Sequence, residues 1–217
     1  MMPTSDLIDS LVESAQPVRR LRPPLVRAAC WLLFAALMLG LVAIGHGVRP
    51  DLVTKLGQPA FVLGIAGALA TGVLATAAAF VASVPGRSRR WLLLPAPAIL
   101  VWVSTIGYGC LTDWVSIGPD GINLGETARC FATMAVVSIP LSLVMLIMLR
   151  YVARLAAAPI AMMASLAVAA MTAAALSLFH PLDATLMILI SNFGVAALFL
   201  LGSGMGRCRL FGWVASA

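Results

Sequence analysis

Six apolar runs, each about 20 residues long, leave this chain few ways to fold. They cover roughly 28–48, 60–84, 91–111, 131–149, 159–179 and 184–205. A helix of about 20 residues rises about 30 Å, the thickness of a bilayer's hydrocarbon core. Backbone polar groups in lipid must be satisfied internally, so only helices and closed barrels can span it. These runs are rich in Ala and Leu and lack the period-two alternation of barrel strands, so they read as helices. The expected fold is all-α and polytopic: a six-helix transmembrane domain over 28–217, preceded by a short tail over 1–27. Composition agrees, with 62% hydrophobic and 10% charged residues, against about 45–50% and 25% in soluble domains. The first run does not read as a removable signal peptide. It is too long for such a segment, and no small-residue cleavage pattern follows it.

The charges sort by side. One alternate set of flanking segments carries Arg19, Arg20, Arg22, Arg27, Arg87, Arg89, Arg90, Arg150, Arg154, Arg207 and Arg209, and the other only Arg49, Lys55 and Arg129. This positive-inside bias places both termini in the cytoplasm. The net charge of +6 therefore reads as arginines at helix ends, snorkelling to lipid headgroups, and not as a nucleic-acid surface.

No Asp, Glu, Lys or Arg lies within any of the six runs. Ion paths and proton relays need ionisable groups at depth, so their absence weighs against a transporter. Asn192, the most polar residue at depth, reads first as an interhelical hydrogen bond. No nucleotide motif, HExxH, GxSxG or CxxC occurs, so no enzyme is expected and no resident cofactor is implied. Gly64, Ala68, Gly72 and Thr76 form a small-residue stripe suited to close helix packing, and Gly202 and Gly206 a second pair. Pro95 and Pro97 fall in the first turn of the third span, where proline is tolerated. Pro140 lies mid-span in the fourth and is expected to kink it.

The tail carries its own pattern. Thr4 or Ser5 can cap a helix from Asp6 to about Gln16, which Pro17 ends. Leu7, Ile8, Leu11, Val12 and Ala15 share one face, and Asp6, Asp9, Ser10, Glu13 and Ser14 the other. Such a helix can lie on the membrane, fold on its own bundle or dock in a partner's groove. Its acidic polar face is repelled by anionic lipid, which favours a protein partner. Eleven residues make a marginal helix alone, so it is expected to fold on binding.

Topology also divides the cysteines. Cys30 and Cys208 fall near the cytoplasmic side; Cys110 and Cys130 fall at the outer ends of the third and fourth spans, joined by a loop containing Asp113, Asp120 and Glu126. His46 and His180, with Asp183 behind it, reach the same outer side. Thiolate and imidazole are ligands for zinc and softer metals. In an oxidising compartment Cys110 and Cys130 could instead form a disulfide, or both could remain inert thiols.

Asp6-Leu7-Ile8-Asp9-Ser10-Leu11, then Pro17-Val18-Arg19-Arg20-Leu21-Arg22-Pro23-Pro24, resembles the NrsF-like family of bacterial six-span anti-sigma factors. Ala128-Arg129-Cys130-Phe131 and the spacing of the spans extend the resemblance over essentially the whole chain. The resemblance implies a protein that holds an extracytoplasmic-function sigma factor at the inner membrane through its cytoplasmic tail. It also implies periplasmic cysteines that sense heavy metals or oxidants. By position, Cys130 matches one family cysteine. The other falls in a Cys-Pro-Glu-Asp stretch after the fifth span, where this chain reads His180-Pro181-Leu182-Asp183, so a family-type disulfide at this pair is ruled out. A transient metal site of Cys130 and His180, with Cys110 supplying a thiol, remains chemically reasonable.

The expectation is thus an anti-sigma factor. Leu7, Ile8, Leu11 and Val12 are its apolar anchors beside Asp6, and Arg19, Arg20 and Arg22 bind acidic partner surface or lipid headgroups. Cys130, His180, Cys110, Asp183 and His46 form the sensing rim. The alternative is a small transporter or exporter of a metal or neutral solute, loading at that rim. A membrane thiol oxidoreductase is a third, weakened by the missing CxxC.

Overall fold

The computed structural model describes residues 22–112, 124–149 and 157–179, together with Asp6, Asp9, Val12 and Glu13. Within these, the protein is a bundle of long helices: α1 (Pro24–His46), a short α2 (Leu52–Leu56), α3 (Pro59–Ala82), α4 (Ala96–Thr112), α5 (Leu124–Leu149) and α6 (Ala157–Phe179). A 3-10 turn, Arg89–Leu93, leads into α4. Four helical segments, Pro24–Gly45, Pro59–Ala82, Ala132–Leu149 and Ala158–Phe179, are long and apolar enough to cross a membrane. The third expected span is shorter, because the chain from Arg89 winds as a 3-10 turn and α4 itself has 17 residues. That gives a rise of about 25 Å, at the low end of what crosses a bilayer. The sixth expected span, and with it Asn192, Gly202 and Gly206, lies outside the described residues.

Two boundaries differ from the sequence reading. Helix α1 begins four residues early, with Pro24 in its first turn, where the missing N–H and fixed φ fit a helix start. Arg27 is therefore helical. Helix α5 begins at Leu124, so Glu126, Arg129 and Cys130 belong to it and not to a loop.

Helix α6 is the axis. Ala167, Ala169, Ala170, Ala173, Ala174 and Ala175 are all fully buried, and their small side chains let neighbours approach closely. Helix α3 packs against α6 most extensively; α5 and α1 also touch α6, and α4 leans on α3. The small-residue stripe of α3 serves both partners. A Cβ on Gly72 would lie 2.8 Å from Met171 Cε on α6, and one on Gly64 3.3 Å from Thr105 Oγ1 on α4. The tightest backbone approach falls at Gly67, where a Cβ would meet the N, Cα and Cβ of Trp102 at 3.1 Å.

Large apolar side chains face outward. Leu33, Leu37, Leu41 and Ile44 on α1, and Val136, Ile139, Leu143 and Ile147 on α5, are exposed at helical spacing. In water this pattern would be unstable; in lipid it is the expected outer surface. Polar groups inside are mostly satisfied, within a helix or across to a neighbouring one. Thr76 donates to the Gly72 carbonyl at 2.7 Å and Trp31 Nε1 to the Leu141 carbonyl at 3.2 Å. The fully buried hydroxyls of Thr71 and Thr172 have no hydrogen-bond partner.

Candidate functional site

The end of the bundle where α1 stops and α3 starts is organised by a residue that the sequence marks only as a flanking charge. Arg49 follows α1 and is almost fully buried. Its Nε and one terminal nitrogen donate to Asp51 Oδ1 and Oδ2 at 2.7 and 2.8 Å, a forked ion pair. Its other terminal nitrogen donates to the Ser177 carbonyl at 3.4 Å, and its backbone N–H to the Leu178 carbonyl at 3.2 Å. Both carbonyls lie in the last turn of α6, where intrahelical partners run out and the dipole favours a cation. Arg49 thus caps α6 from another part of the chain. The guanidinium also sits 5.6 Å over the ring of Phe61, in the first turn of α3, a cation–π distance. Three helices therefore meet on one side chain.

Asp51 is half exposed. It precedes α2 but makes no side-chain cap there, since both its oxygens are taken by Arg49. The Arg49 hydrogen bonds hold its carboxyl below the usual carboxylate range, against a smaller opposing effect of desolvation.

Of the expected sensing residues, His46, His180 and Asp183 stand close in sequence to parts of this clamp, and Cys110 and Cys130 do not. His46 is the last residue of α1 and stands three residues before Arg49; Cys110 is third from the end of α4; Cys130 is the seventh residue of α5. These three are placed by their helices only. His180 and Asp183 lie outside the described residues. Among the described residues, α4 packs chiefly on α3, and α5 on α6 and α1. Among the described residues, no three His, Cys, Asp or Glu come together as a metal site.

At the opposite end of the bundle a second arginine meets a second aromatic ring. Arg27, in the first turn of α1, lies 5.1 Å over Phe80, which is fully buried near the end of α3. Beyond it the chain leads to the tail. Asp6, Asp9, Val12 and Glu13 are helical and exposed, with Val12 at 68%. Arg22 is exposed as well. Leu7, Ile8, Leu11, Arg19 and Arg20 lie outside the described residues. Cys30, nearly two turns into α1, is a free, exposed thiol.

The sequence matches the family described as NrsF, negative regulator of sigma F, over residues 11–213. The chain belongs to the NrsF family. The match includes Val12 and every long helix, and leaves Asp6, Leu7 and Ile8 just ahead of it. No curated protein and no solved structure matches the chain. Membership of NrsF, with its apolar helices, makes this a regulatory, non-enzymatic membrane protein of the multi-pass kind.

Sequence reasoning missed Arg49, Asp51, Phe61, Arg27 and Phe80 as working residues. One signal was available. Each arginine flanks an end of α1, and each phenylalanine stands near an end of α3. Pairing helix-end arginines with helix-end aromatics on the neighbouring span would have found both contacts.

Proposed function

We propose that this protein is an inner-membrane anti-sigma factor with both termini in the cytoplasm. Its tail, roughly Ser5–Arg22, sequesters an extracytoplasmic-function sigma factor and lets it go when a metal or oxidant acts on the periplasmic rim. Leu7, Ile8, Leu11 and Val12 supply the apolar contact. Asp6 and its acidic neighbours face basic surface on the sigma factor, which must carry such surface to hold DNA phosphates. Arg19, Arg20 and Arg22 hold the tether near acidic partner surface or headgroups. On the outer side, Cys130, His180, Cys110, Asp183 and His46 form the signal-receiving set, with Cys130 and His180 able to take a soft or borderline metal ion transiently.

The observation that carries this reading is Val12. It is an apolar residue on a helical, acid-bearing tail, and it is left exposed and not buried on its own bundle. The family description names sigma F as what is regulated, which fits a protein partner for that face.

The test is capture of the sigma factor encoded nearest to this gene by the full-length protein in detergent, compared with Val12→Asp. A charge placed in an apolar anchor site costs several kcal/mol, so capture should fall by roughly 100-fold or more. Equal capture by the two proteins would sink the tail assignment. For the rim, Cys130→Ser should lose the response to metals and oxidants while still holding the sigma factor.

A further inference from the structure

We propose that the turn Arg87–Trp91, between α3 and α4, is a binding site for the headgroup of an anionic phospholipid. The argument starts from which arginines are already engaged. Arg49 is committed to Asp51 and the end of α6, and Arg27 lies on the ring of Phe80. Arg87, Arg89 and Arg90 are all exposed, and no acidic side chain pairs with them among the described residues.

Local structure fixes the turn that carries these three cations. Gly86 adopts φ +82, a left-handed conformation that turns the chain sharply after α3. Ser88 then accepts a hydrogen bond from the Arg90 N–H at 3.3 Å, fixing the start of the 3-10 turn. Three guanidinium groups thus stand within four positions, and Trp91 and Leu93 follow them, partly exposed at 41% and 69%. An indole beside a short basic cluster at the end of an apolar helix is the composition of a membrane interface. The guanidinium forks match phosphate oxygens, while the indole and the leucine reach the acyl boundary. In the orientation set by the charge bias, this turn lies at the cytoplasmic leaflet, where anionic lipid is found. The sigma factor is the less fitting occupant, because its DNA-binding surface is itself basic.

The experiment uses the full chain in detergent, titrated with equal amounts of phosphatidylglycerol and phosphatidylcholine, with retained lipids counted by native mass spectrometry. The expected result is retention of phosphatidylglycerol over phosphatidylcholine by roughly tenfold, since each arginine near an anionic surface contributes about fivefold before screening. The triple variant Arg87→Gln, Arg89→Gln, Arg90→Gln should bring the ratio near one, and the corresponding triple lysine variant should keep most of it. An unchanged ratio in the glutamine variant overturns the proposal. So does displacement of the lipid by millimolar inorganic phosphate, which would mark a plain anion site. Loss of sigma capture with an unchanged lipid ratio would make the turn a protein-docking surface and would equally overturn it. Sigma capture plays no part in the lipid readout, so failure here and failure of the anti-sigma reading are separable.

Discussion

Arg49 is held by contacts that its own stretch of chain cannot supply. Ser177 and Leu178 are about 130 positions away in sequence, and the burial of the guanidinium depends on them. That is why the sequence reveals the charge but not the clamp: a cap donated from a distant segment leaves no local pattern. The forked pair with Asp51 has a defined pH dependence. Because the folded protein holds the Asp51 carboxyl below its ordinary value, the clamp's contribution is fully present above about pH 4, the unfolded carboxylate's range. It is lost as pH falls through the lower, folded value. Wild-type thermal stability in detergent should therefore fall on acidification below about pH 4. Asp51→Asn should melt lower than wild type at pH 7, since it leaves a buried guanidinium without its counter-charge. It should also show a shallower decline on acidification, and an unchanged acid limb would place the titrating group elsewhere.

Helices show how far a small-residue stripe can be read. Four-residue spacing picks out Gly64, Ala68, Gly72 and Thr76, and all four are engaged: Gly64 against Thr105, Gly72 against Met171, and Ala68 and Thr76 in the buried interior. The closest approach to a neighbouring backbone, however, is at Gly67, one position off the stripe. Spacing alone cannot find it, because α3 is gripped by two helices at once and its buried face is wider than a single stripe. The two glycines should behave differently on gaining a methyl group. At Gly67 the obstacle is the backbone of Trp102, so Gly67→Ala should destabilise the bundle by about 1–3 kcal/mol, less a gain of up to about 1 kcal/mol in helix propensity. At Gly72 the obstacle is the end of a methionine side chain, which can rotate away. Gly72→Ala should therefore lie within about 1 kcal/mol of wild type. Thermal unfolding of the two variants in one detergent compares them directly; equal losses would mean that Met171 is as fixed as the α4 backbone.

Across the whole molecule, the charge bias and the apolar runs made the membrane fold legible, yet they left its two ends unconnected. The structure connects them through α3. Phe61 and Phe80 stand 19 residues apart on one helix, a rise of about 29 Å. Their arginine partners flank the two ends of α1, so α1 and α3 are pinned together at both faces of the hydrocarbon core. A shift of α6 at its Arg49 end would disturb Arg49, and through Phe61 would load α3 and the pin at Arg27, close to where the tail begins. The capping bonds from Arg49 to α6 are worth about 1–3 kcal/mol, which corresponds to a 5- to 150-fold change in a coupled equilibrium. A substitution at the Arg49 end should therefore be felt at the tail. Arg49→Gln, which keeps much of the side chain's bulk but loses the charge, should raise expression from a sigma-dependent promoter without any added metal or oxidant. Protein abundance in the membrane should stay near wild type, and the response to added inducer should shrink because part of the release has already occurred. A reporter that stays silent until inducer is added, at normal abundance, would show that the outer clamp does not bias the grip of the tail. Coupling would then have to run through α5, where Trp31 of α1 donates to the Leu141 carbonyl.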